Sequence, residues 1–164
     1  MQLPLVSVPC SPIVDMPHHP VKDITSITDA TCCVRGTCLS KSYHGLFPSV
    51  EIGFDIRVEH PSDSWVVRCT LRDVDTLHHN LRQNISDRSF HEDISRLLCP
   101  KLPLFHRRDM LVIKGLCVDL DHYVDELVKL CHRFTTKKRT ADTDTVLVEG
   151  YLRAFLTANA TTPI

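Results

Sequence analysis

Between Trp65 and Ile85 the apolar residues change their spacing. Trp65, Val67, Cys69 and Leu71 recur at every second position, as on one face of a pleated strand, whereas Val74, Leu77, Leu81 and Ile85 recur at three and four, as along a helix. A chain that passes from strand to helix with no loop between them must let a sheet and a helix share one interior. That demand restricts the fold more than any other stretch does. The pattern predicts a strand from Trp65 that becomes a helix at about Leu71 and ends near Asn84. Arg68 lies on the opposite face of the strand, with Arg72 and Asp73 at the junction, a setting that would attract an acidic ligand.

The neighbouring segments supply the partners this junction needs. Val50, Ile52, Phe54, Ile56 and Val58 alternate with Glu51, Gly53, Asp55, Arg57 and Glu59, which predicts a strand with one wet face. His60-Pro61-Ser62-Asp63-Ser64 has turn composition and makes the two strands an antiparallel hairpin. Residues 28–46 supply a third strand. Ser89 and Glu92 stand in capping-box relation, and Phe90, Ile94, Leu97 and Leu98 follow at helical spacing, predicting a helix over 89–98 stopped by Pro100. Ile113, Leu116, Leu120, Val124, Leu127, Cys131 and Phe134 trace one face of a helix over 110–134, with Gly115 a candidate interruption. Leu147, Tyr151, Leu152, Phe155 and Leu156 mark a last helix near 144–158. Strands followed by helices give an α+β fold, a three-stranded antiparallel sheet packed against a helical subdomain. The proline-punctuated residues 1–27 read as an irregular or disordered arm, 28–158 as the folded domain, and 159–164 as a short tail.

With 164 residues the chain can bury a core without staples, so its eight cysteines, with no export signal, read as reduced thiols in a cytoplasmic protein. Cys32, Cys33, Cys38 and His44 contain no second clean ligand pair to close a zinc site. No catalytic signature is present among only five glycines, and the adjacent pairs Cys131-His132 and His78-His79 point about 100° apart on a helix. The expectation is therefore a protein without enzymatic activity, metal or cofactor. A formal net charge of −1 and short basic clusters without interleaved aromatics argue against nucleic acid as a partner.

The loop Pro100–Arg108 sets Leu104 and Phe105 between Lys101 and the pair Arg107-Arg108. Apolar tips beside cations suit an acidic membrane surface, and equally suit a loop whose tips pack onto the core. A resemblance bears on this choice. The run W-V-V-R-C-T-L-R-D-V-D-T-L-H-H-N-L from Trp65 to Leu81 is similar to the W-x-V-x-R-x-Y-x-D-F-x-x-L-x-x-x-L segment of phox-homology (PX) domains. It is nearest to those of Rho-GTPase-activating proteins, since Asp87-Arg88-Ser89-Phe90 resembles their D-R-R-F-S stretch. Over about residues 28–157 the resemblance implies the PX fold, a phosphoinositide ligand and a membrane-facing proline-rich loop at Pro100–Arg108. It also implies where the phosphates would be gripped, and there this chain departs from the family: the junction positions fall on Cys69 and Thr70, the aromatic on Leu71, and the later helix position near Leu116 and Cys117.

Two functions follow as expectations. The first is a peripheral module on endosomal or plasma membrane, with Arg68, Arg72, Lys101, Arg107 and Arg108 contacting head groups and Leu104 and Phe105 inserting. The second is an adaptor that has kept the scaffold and lost the lipid, binding an SH3-containing or GTPase-regulating protein.

Overall fold

The computed structural model describes residues 24, 26–44, 47–103, 109–138 and 142–161. A 3-10 turn, Ile27–Asp29, leads into β1 (Thr31–His44), β2 (Phe47–His60) and β3 (Asp63–Thr70), then α1 (Leu71–Asn84), α2 (Arg88–Arg96), α3 (Met110–Lys137), α4 (Thr143–Thr157) and the two-residue β4 (Ala160–Thr161). The change of period is where the backbone changes: β3 ends at Thr70 and α1 begins at Leu71. Thr70 caps the helix in a box with Asp73. Two of the amide donors that a helix start leaves open are thereby satisfied locally, and no loop is needed.

All strand pairs are antiparallel, in the order β1-β2-β3-β4. The fold is α+β as expected, but the sheet has four strands rather than three. The fourth forms because α4 ends at Thr157, Asn159 takes a left-handed φ of 52°, and Ala160 and Thr161 turn back to pair with Val67 and Val66. Part of the segment read as a tail therefore belongs to the sheet.

Ile52, Phe54, Ile56 and Val58 of β2 and Trp65, Val67 and Cys69 of β3 face one core with Val74, Leu77 and Leu81 of α1. That core continues through Ile113, Leu120, Leu127 and Cys131 of α3 and Val148, Leu152 and Leu156 of α4. Polar ties fix the two halves: the Trp65 indole donates to the Leu156 carbonyl at 2.6 Å, and Asp121 of α3 accepts the Val34 amide at 2.7 Å beside the bulge of β1. Gly115 does not interrupt α3, which runs unbroken through it. The α2 cap is Asp87, which accepts the Phe90 amide at 2.9 Å, instead of Ser89, and Glu92 pairs with Arg88 at 3.2 Å. No helix among the described residues is long and apolar enough to cross a membrane.

Candidate functional site

At the β3–α1 junction the local donors and acceptors satisfy one another. The Thr70 amide and hydroxyl both donate to Asp73 Oδ2 at 2.8 Å, and the Asp73 amide donates to Thr70 Oγ1 at 3.3 Å. Arg68 sits directly across the ladder from Asp55, donating from Nε at 2.8 Å and from Nη2 at 3.2 Å. These two contacts engage Arg68 with a protein carboxylate, and the hydrogen bond to Asp55 raises its pKa. The neighbouring Gly53 makes room for Cys38: a Cβ there would stand 2.7 Å from Cys38 Sγ, but at an ordinary contact distance of 3.6 Å from Arg68 Cγ and Cδ. Arg72 is exposed and has no ion-pair partner among the described residues. The junction thus offers one open cation, next to a carboxylate.

Lys101 lies elsewhere, in a cleft of about 560 Å³ between α1 and the segment Leu97–Lys101. Asp75, His78, His79 and Arg82 enter it from α1, since positions three, four and seven apart on a helix share a side. His78 is tied at the cleft wall by a hydrogen bond between its Nδ1 and the Tyr123 hydroxyl, 2.9 Å long. Burial first, then the neighbouring Arg82, lowers the His78 pKa. Burial raises those of Tyr123 and of Cys99, which hydrogen-bonds Tyr123. At neutral pH the three are imidazole, phenol and thiol, and an uncharged thiol is a poor nucleophile.

Cys131 is fully buried, its thiol pushed up to about 12, while His132 faces Asp29 at 3.3 Å, so the two do not form a working pair. Cys33 and Cys38 lie on β1 opposite Arg57 and Gly53, and among the described residues no group of three or more His, Cys, Asp or Glu is placed to hold a metal ion.

No family model matches this chain, and no curated protein matches it. The site therefore stands on its geometry.

Of the residues singled out from the sequence, Arg68 and Arg72 flank the junction and Lys101 lines the cleft, which neither arginine lines. Leu104, Phe105, Arg107 and Arg108 lie outside the described residues. On either side of them the chain presents large apolar groups to water: Leu98 is 90% exposed, Met110 61% and Leu111 76%. Leu98 is thrown outward because α2 stops at Arg96, two residues before the periodicity would carry it. Sequence reasoning gave Arg82 no role, weighed His79 only in the rejected pair His78-His79, and read Leu98 as an apolar position of the second helix. The available signal was the four-residue step from His78 to Arg82, and the cleft itself exists only once α1 and the segment after α2 are brought together.

Proposed function

We propose that this chain is a non-catalytic PX-like module that attaches peripherally to phosphoinositide-bearing or other acidic membranes through the surface around residues 98–111. The observation that carries it is the exposure of Leu98, Met110 and Leu111 on both flanks of a segment holding Lys101, Arg107 and Arg108. Large apolar side chains beside cations gain by entering the interface of an anionic bilayer. The residues resembling a PX phosphate grip support specificity poorly, since Cys69 and Thr70 carry no charge and Arg68 is held by Asp55. Attraction of the whole surface, worth about 1 kcal/mol per basic residue, carries the binding.

Co-sedimentation tests this with phosphatidylcholine vesicles lacking or containing a phosphoinositide. Binding is expected only to the charged vesicles, fading as salt rises, and replacing both Arg107 and Arg108 by Ala should weaken it about thirtyfold. Equal binding to neutral and charged vesicles, or indifference to the double substitution, would reject the reading. One observation favours an adaptor instead: the Thr70–Asp73 box and the Arg68–Asp55 pair leave the junction self-satisfied. An adaptor would capture a protein partner, SH3-containing or GTPase-regulating, with no response to vesicle charge.

A further inference from the structure

We propose that Ser89 is a phosphorylation site, and that its phosphate is received by Arg133 and Lys137 across a small cavity between α2 and α3, clipping the two helices together. Nothing in this depends on the membrane reading above, because neither cation belongs to the surface around residues 98–111.

The docking of α2 sets the geometry. Phe90 packs on Phe134 with ring centroids 4.8 Å apart, and Asp87, the α2 cap, meets Lys138 at 3.2 Å. Both contacts bring the start of α2 against the last turns of α3. Between them lies a cavity of about 190 Å³, lined by Ser89 and Asp93 of α2 and by Arg133 and Lys137 of α3, with room for a phosphoryl group. Each pair is four residues apart and so shares one side of its helix.

Charge decides what the cavity would accept. Three carboxylates lie within four residues of Ser89, and each already has a cation: Asp87 with Lys138 at 3.2 Å, Glu92 with Arg88 at 3.2 Å, and Asp93 with Arg96 at 3.5 Å. Arg133 and Lys137 are exposed, and neither has an ion-pair partner among the described residues. The uncompensated charge at the cavity is therefore positive and sits on α3. A phosphoserine brings about 1.5 to 2 negative charges and three acceptor oxygens, which suit a guanidinium fork and an ammonium.

The hydroxyl is available for the chemistry. Ser89 is exposed and its hydroxyl takes part in no hydrogen bond among the described residues, whereas those of Thr76, Ser95 and Thr157 donate to the carbonyl four residues back. As the second residue of α2, Ser89 has no helical carbonyl at that distance. Glu92 and Asp93, three and four positions after it, are the acids that an acidic-directed serine kinase reads. In the transfer, Ser89 Oγ bonds to the γ-phosphorus of ATP, the bond to the β–γ bridging oxygen breaks, ADP leaves, and the hydroxyl proton passes to the base of the kinase.

The test uses the full chain, with serine or genetically encoded phosphoserine at position 89, and the variants Ser89→Ala, Arg133→Gln and Lys137→Gln. Given an acidic-directed serine kinase and ATP, the folded parent should gain a phosphoryl group mapped to Ser89 by peptide mass, with Ser89→Ala as the blank. Phosphoserine at 89 should raise the melting temperature by about 4 °C. Replacing Arg133 and Lys137 together should abolish that gain, while leaving the unmodified chain within about 1 °C of the parent. The phosphate, followed by phosphorus resonance, should titrate below about 6 in the parent and higher in the double variant. If the kinase modifies Ser89 only in heat-unfolded chain, the site is closed and the proposal fails. If phosphoserine lowers the melting temperature, or its gain survives the loss of both cations, the receiving pair is wrong and the proposal fails with it; vesicle binding decides the membrane reading separately.

Discussion

The ring of His78 sits where charge is unwelcome. Half-buried, it meets the Tyr123 hydroxyl on α3 and has Arg82, Lys101 and His79 as unfavourable neighbours, with Asp75 alone favouring the protonated form. Its folded pKa is lowered from 6.5, so below about 6.5 the unfolded chain takes up a proton that the folded chain refuses. Stability should therefore fall as pH drops from about 6.5 toward the depressed folded value, and the loss is complete below it. Urea unfolding of the parent and of His78→Gln at pH 7.5 and pH 5.5 checks this: the variant should lose less stability on acidification than the parent. A residue's environment of this kind was hidden in the sequence, where His78 and His79 are two adjacent polar positions on a helix. Arg68 shows the converse. Its face of β3 was legible from the alternation, but the partner that claims it, Asp55, follows only from the register of β2 against β3.

Whole elements were more readable, because period and capping chemistry act over short range. Val74, Leu77, Leu81 and Ile85 are all buried, and α1 starts and stops where their spacing requires. The box at its start is a testable part: Thr70→Ala should cost about 1 kcal/mol in chemical denaturation, with little effect on the sheet. At Gly115, inside α3, a Cβ would find nothing within 4 Å, so the helix tolerates a residue it does not need. Gly115→Ala should stabilise the protein by about 0.5–1 kcal/mol, read as a higher melting temperature. What escaped sequence reasoning at this scale was local competition and brevity. Ser89 and Asp87 both fit a cap, and the aspartate, one turn ahead of Phe90, takes the helix start. A two-residue strand such as Ala160–Thr161 has no period at all, and only Asn159, a residue tolerant of left-handed backbone, hinted at the reversal.

At the scale of the molecule, the sheet, the helices and the segments between them are joined by a few buried or half-buried polar links laid across one apolar interior. Asp144 of α4 accepts the Ser86 amide at 3.2 and 3.1 Å, and Glu149 of the same helix accepts the Ile27 amide at 2.6 Å. Together with Asp121 on Val34 and Trp65 on Leu156, these let α3 and α4 gather segments distant in sequence. None of the four links has a local signature; the α+β class was legible from the chain, while the fourth strand and the cleft, each made by segments apart in sequence, were not. The Trp65 link has a practical consequence, because the chain contains a single tryptophan. Its emission needs no label to act as an optical gauge of whether the last helix is seated. The folded protein should fluoresce at short wavelength from a ring 3% exposed, and a red shift that precedes the loss of far-ultraviolet ellipticity on heating would reveal α4 lifting away before the rest melts.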